Sequence, residues 1–154
     1  MLDMQSVLQV ILISGVMITL TCLVFYELMY FSWKNVDKVR INHRYKIFFI
    51  IMAIFVAHTF AVWAYGAVYY LLSKLELGEL VRVDSGRHIN SFMEYVYYSA
   101  VTYSSLGLGD VIPRKEIRFL TGVEVLNGLV LIGWSASYTY LSMEKFWASR
   151  KERK

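Results

Sequence analysis

Three stretches of this 154-residue chain are long and apolar enough to cross a bilayer as helices, and they bound what else it can fold into. Residues 7–31 carry only Gln9 and Glu27 as strongly polar side chains. Residues 47–72 are interrupted by His58, and residues 117–147 hold a third run with Glu124 and Asn127 inside it and Gly128 and Gly133 along it. Roughly 20 apolar residues suffice for a helix to cross a core of about 30 Å, so all three runs qualify. A content of 57% hydrophobic and 18% charged residues is too apolar for an ordinary soluble domain. Twelve Tyr, nine Phe and four Trp suit a protein with two water–lipid boundaries, where rings with a polar edge collect. A single proline and nine glycines exclude a Pro-rich or Gly-rich disordered tract, and the lone Cys22 excludes a disulfide framework or a Cys-based metal site. No Lys or Arg precedes the first run and no small-residue cleavage site follows it, so it reads as a retained helix and not a signal peptide. The expected class is an all-α membrane protein with three transmembrane helices.

The basic residues are placed unevenly. Between the first two runs, Lys34, Lys38, Arg40, Arg44 and Lys46 outweigh Asp37. After the third, Lys145, Arg150, Lys151, Arg153 and Lys154 outweigh Glu144 and Glu152. Residues 73–118 hold six basic and six acidic side chains, and the N-terminus offers Asp3 alone. The positive-inside rule then puts the linker and the C-terminus in the cytoplasm and the N-terminus and residues 73–117 outside. This accounts for the net charge of +4 without a nucleic-acid partner.

The outward connection changes character partway. Residues 75–90 read as a polar, mostly solvated stretch with turn residues Gly78, Asp84, Ser85 and Gly86. Residues 91–103 are apolar and aromatic, opening with Ser91 and, three residues later, Glu94, which is a helix-start pattern. At 1.5 Å per residue such a helix covers roughly 18 Å, about half of the membrane core. Ser104-Ser-Leu-Gly-Leu-Gly-Asp110 follows, and its alternating glycines each weaken helical order by roughly 1 kcal/mol. Non-helical backbone at that depth persists only inside protein or against a water-filled path. Gly107 and Gly109 permit positive φ, so successive peptide units can turn their carbonyls to one side. Four copies around an axis would stack rings of oxygens able to replace a cation's hydration shell. Ser105, Leu106, Gly107 and Leu108 would form the ion sites, Gly109 would extend the column, and Asp110 would stand at the outer mouth.

Residues 102–113, Thr-Tyr-Ser-Ser-Leu-Gly-Leu-Gly-Asp-Val-Ile-Pro, resemble the pore signature of tetrameric potassium channels, usually Thr-x-x-Thr-Val-Gly-Tyr-Gly-Asp. Residues 127–135, Asn-Gly-Leu-Val-Leu-Ile-Gly-Trp-Ser, look like the inner helix of small bacterial pore-only proteins labelled two-pore-domain channel family, here with one helix added in front. The resemblance covers residues 47–147. It implies an outer helix at 47–72, a pore helix at 91–103 with Tyr97 and Tyr98 in support, a selectivity filter at 104–110 and an inner helix at 117–147 with a hinge near Gly128. Residues 1–46 would be the added helix and its basic linker, and 148–154 a basic tail. It further implies a homotetramer in a bacterial inner membrane, surrounded by lipid and passing potassium ions. Ser105 replaces the usual Thr and keeps a hydroxyl. Leu108 replaces the usual Tyr or Phe and loses a bracing ring, which leaves a weakly selective pore, also passing sodium, as the alternative.

Other residues admit two roles each. Glu124 either bonds the pore helix from behind or meets ions; Asn127 lines a cavity or bonds a neighbouring helix; Gly128 and Gly133 bend or pack the inner helix. Trp134 and Ser135 read as packing residues, His58 as an interhelical hydrogen-bonding group before a proton sensor, and Trp63, Tyr65, Tyr69 and Tyr70 as an interface belt. No resident cofactor is expected. A non-conducting membrane subunit is a rival from a different class. An intramembrane enzyme using His58 and Glu124 finds no metal-ligand or nucleophile motif in its favour. The chain also lacks arginines at every third position, so no voltage sensor is expected within it.

Overall fold

The computed structural model describes residues 4–36 and 43–151. Lys38, Arg40, Arg153 and Lys154, which carry part of the charge asymmetry, lie outside the described residues. Four helices and two short strands follow in the order α1 (Met4–Val36), α2 (His43–Lys74), β1 (Glu79–Arg82), α3 (Phe92–Tyr103), β2 (Val111–Arg114) and α4 (Ile117–Lys151). The protein is all-α apart from this strand pair. Three helices are long and apolar enough to cross a membrane: Met4–Val36, Tyr45–Lys74 and Ile117–Trp147. Their outward faces keep large apolar side chains such as Leu12, Phe48 and Leu129 exposed, as expected where the surrounding solvent is lipid.

The chain divides into two compact units. The first contains Met1–Thr21 and Phe60–Leu129, the second Cys22–Thr59 and Val130–Lys154. In the first, Val10 and Met17 from α1, Tyr65, Tyr69 and Leu72 from α2, Tyr95 and Tyr98 from α3, and Ile117 and Leu120 from α4 share one buried cluster. In the second, the core is built on rings: Phe25 lies 5.1 Å from His58 and 5.5 Å from Trp134 between centroids.

Two sequence expectations change here. Residues 75–90 are mostly exposed, as expected, but they are more than a loop: β1 pairs antiparallel with β2, in the register Glu79↔Arg114, Leu80↔Pro113, Val81↔Ile112 and Arg82↔Val111. Leu80, Val81 and Ile89 are buried. They are few among polar and turn residues, which is why the composition read as loop. Pro113 is tolerated because a two-stranded sheet is all edge. The strands flank α3 in sequence, so their pairing, extended by the Val83 N–H donating to the Asp110 carbonyl at 2.9 Å, clamps the entry and exit of the intervening segment together. Nor do all four aromatic residues ending the second run form an interface belt. Tyr65 and Tyr69 are wholly buried, whereas Trp63 is exposed.

Candidate functional site

The segment from Ser104 to Asp110 begins where α3 stops. At the other end of α3, the Glu94 carboxylate accepts from the Ser91 N–H at 3.3 Å and pairs with Arg82 of β1. The hydrogen bond from Arg82 is the main reason its carboxyl is held below the ordinary carboxylate value. The helix thus starts on charge and ends in a tightened turn, with the Ser104 N–H donating to Ala100 at 3.2 Å and Ser105 to Thr102 at 2.9 Å.

Beyond that turn the backbone alternates in hand. Ser105, Gly107 and Gly109 have φ of 58°, 57° and 77°, in the left-handed region, while Leu106 and Leu108 between them do not. The glycines adopt it without steric penalty, whereas Ser105 does so at a cost on the order of 1–2 kcal/mol. Sequence reasoning foresaw the two glycines and missed the serine, because no residue-type signal marks a left-handed Ser. The N–H groups of Leu106 and Gly107 both donate to the Val101 carbonyl, at 3.0 and 3.3 Å. Donors are therefore turned back to α3, and among the described residues no hydrogen bond ends on the carbonyls of Ser105, Leu106, Gly107, Leu108 or Gly109. The segment is exposed in the single chain, with the Leu106 side chain at 64% and Leu108 at 58%. A cleft of about 250 Å³ adjoins it, lined among others by Tyr97, Thr102, Gly107, Gly109 and Thr121. The Tyr97 hydroxyl donates to Asp110 at 2.9 Å, so that carboxylate is tied to α3.

Behind α3 a polar cluster is buried among three helices. Glu124, fully buried on α4, accepts from the Tyr69 hydroxyl of α2 at 2.7 Å and lies 2.5 Å from Ser99 Oγ of α3. Ser99 Oγ is also 2.8 Å from the Val62 carbonyl. The Ser99 hydroxyl thus bridges Glu124 of α4 and the Val62 carbonyl of α2, tying α3 to both. Tyr98 and Thr121 bond at 2.9 Å, and Thr121 donates to the Ile117 carbonyl at 3.1 Å. Of the two roles open to Glu124, the structure shows the bond to the short helix. Asn127 likewise bonds neighbouring helices, donating to Thr21 at 2.7 Å and to Tyr65 at 3.1 Å. At Gly128, an added Cβ would run into the Tyr103 carbonyl, so its lack of a side chain serves close approach of α4 to the end of α3. At Gly133 an added Cβ would meet nothing within 4 Å. Ser99, Thr121 and Thr21 were not anticipated; a hydroxyl three residues before Glu124 on one helix was the available signal for Thr121.

On the sheet side, Glu79 accepts from Lys115 and from His88, each at 2.8 Å. The Lys115 bond chiefly holds the Glu79 carboxyl below its ordinary value. Among the described residues no three His, Cys, Asp or Glu side chains gather as a metal cluster. In the second unit, His58 Nε2 lies 3.3 Å from Ser135 Oγ, and Trp134 packs on Phe25.

Residues 57–145 match the sequence profile of a family described as an ion channel. The match spans more than half of the chain, so the chain belongs to this ion-channel family and is a membrane protein. No curated protein and no solved structure matches it.

Proposed function

We propose that the chain is one protomer of a homotetrameric channel that passes monovalent cations, potassium foremost, through rings of backbone carbonyls. Ser105, Leu106, Gly107, Leu108 and Gly109 supply the oxygens, and Asp110 concentrates cations at the outer mouth. The observation that carries this reading is the left-handed backbone at every second residue from Ser105 to Gly109, combined with N–H groups turned back onto Val101. That combination leaves a run of carbonyls without protein partners, which is what a dehydrated cation needs and what lipid does not tolerate.

A single chain offers one such strand, so four are needed to surround an ion. The exposure of Leu106 and Leu108 supports this, because copies packed side by side would cover them. The carbonyl end of α3 adds negative potential where the ion enters the rings. Glu124, Tyr97 and Tyr98 hold α3 and Asp110 and do not touch the ion. The surplus of basic residues in the linker and tail supports a cytoplasmic C-terminus and an outward N-terminus under the positive-inside rule, in a bacterial inner membrane on the resemblance noted above. We read the chain as a transport protein without covalent chemistry.

Leu108 favours a second reading, a weakly selective pore, since a leucine has no ring hydroxyl to fix the strand against its surroundings. Reversal potentials in reconstituted bilayers, with potassium on one side and sodium on the other, decide between the two. A potential near the potassium equilibrium value is expected; a value near zero replaces selectivity with general cation flux, and no current at all removes the channel in favour of a non-conducting subunit.

A further inference from the structure

The strand clamp carries a positive charge to the end of the carbonyl segment. Its register sets Arg82 of β1 opposite Val111, the residue after Asp110, and the Val83 N–H donates to the Asp110 carbonyl at 2.9 Å. Arg82 and Asp110 are thus neighbours across the pair, and both side chains are anchored on one face of α3. Arg82 Nε donates to Glu94 at 3.2 Å and a terminal nitrogen pairs with the same oxygen, while Asp110 accepts from the Tyr97 hydroxyl at 2.9 Å. Glu94 and Tyr97 are three residues apart, so their Cβ atoms lie about 5–6 Å from one another, one turn along the helix. The bond from Glu94, and beyond it the charges of Asp84 and Asp110, hold the guanidinium above its ordinary value.

The bond to Glu94 keeps the guanidinium beside Asp110 and not on it. Asp110 therefore stays available to cations, but next to a fixed charge of opposite sign. Both groups are open to water, so they act on a passing ion through their field, which reaches about 30 Å in 10 mM salt and about 3 Å in 1 M. On the reading of residues 105–109 as the ion path, we infer that Arg82 sets the strength of the outer-mouth field. It offsets Asp110 in each copy, and so limits how far monovalent cations accumulate at the mouth and how firmly divalent cations are held there. Arg82 does not touch the ion; it acts through Asp110.

Currents through the reconstituted protein, with KCl varied from about 10 mM to about 1 M, test the assignment. Arg82→Gln should raise inward current roughly threefold at the low salt and leave it within about 1.3-fold at the high salt, because screening removes the field. In the same variant, Mg²⁺ added outside should depress the current at lower concentration. Arg82→Lys keeps the charge and should behave as the unaltered protein. Glu94→Gln retains a side chain suited to the helix start but frees the guanidinium for Asp110, so inward current at low salt should fall. A change in Arg82→Gln that is equal at both salts marks a structural role of the Arg82 and Glu94 pair and overturns the assignment, as does Arg82→Lys behaving like Arg82→Gln. Those results leave the ion path standing, whereas an unaltered protein without current at any salt removes the ion path and this role with it.

Discussion

The two units of the chain hold their helices together by different means. In the first, side-chain hydrogen bonds cross between helices: Glu124 to Tyr69 and Ser99, Tyr98 to Thr121, Asn127 to Thr21 and Tyr65. In the second, His58 lies 3.3 Å from Ser135 and Tyr138 bonds Met29, and rings pack between them. Directional bonds fix an element in position and rotation, whereas ring faces tolerate sliding at little cost. The first unit contains the left-handed segment Ser105–Gly109 that the proposed function uses.

The largest break in this comparison comes from the backbone itself. Gly109 sits at φ 77°, where a side chain costs on the order of 1–2 kcal/mol. Gly109→Ala is expected to abolish cation flux in liposomes while the assembly elutes unchanged. Gly133→Ala, in the second unit, adds a methyl that meets nothing within 4 Å and should leave flux within about twofold. Unchanged flux in the Gly109 variant would sink the carbonyl-ring reading.

Next in size is the buried cluster. Glu124→Ala removes the acceptor of Tyr69 and one partner of Ser99, and interhelical bonds of this kind are worth about 0.6–1.7 kcal/mol each in membrane proteins. A loss of about 1–3 kcal/mol in a detergent unfolding assay is expected, together with faster decay of current as α3 loosens. Glu124→Gln should recover most of this, because its amide oxygen accepts from Tyr69 and its amide group still reaches the Ser99 hydroxyl. Ser135→Ala, the counterpart in the second unit, removes a long contact and should cost less than about 0.6 kcal/mol. Equal losses for Glu124→Ala and Ser135→Ala would erase the distinction between the units.

Much of this was legible before any coordinates. Apolar length alone marks the three spans, and the Ser91/Glu94 start and the Gly107/Gly109 spacing mark the short helix and its abrupt end, because these are local signals that neighbours in sequence carry. What escaped was set by partners far along the chain. The β1–β2 pairing joins residues 29 to 35 positions apart. Tyr65 and Tyr69 resemble boundary aromatics until Asn127 and Glu124, some 55 to 62 residues away, supply acceptors and donors that draw their hydroxyls inward. Glu124 and Asn127 find Ser99 and Thr21, hydroxyls that no sequence pattern distinguishes from the many others on these helices.

The smallest expected effect concerns the exposed rim of the first unit. Glu79 and Glu94 are each held below the ordinary carboxylate value, chiefly by bonds from Lys115 and Arg82. A carboxyl lowered in the folded state contributes stability that is fully present above its unfolded value, near 4.5, and is lost as pH falls through the folded value. Stability should therefore be flat from neutral pH to about 5 and decline below 4.5. Both pairs are solvent-exposed, so screening keeps the decline shallow and high salt should flatten it further. Glu79→Gln with Glu94→Gln is expected to remove most of the slope in an acid unfolding series. The difference should appear first in the strand clamp, read as faster amide exchange at Val81 and Val83, while exchange in the ring-packed second unit stays unchanged. Equal acceleration in both units would show that the rim charges act on the whole chain and that the division drawn between its halves does not extend to the surface.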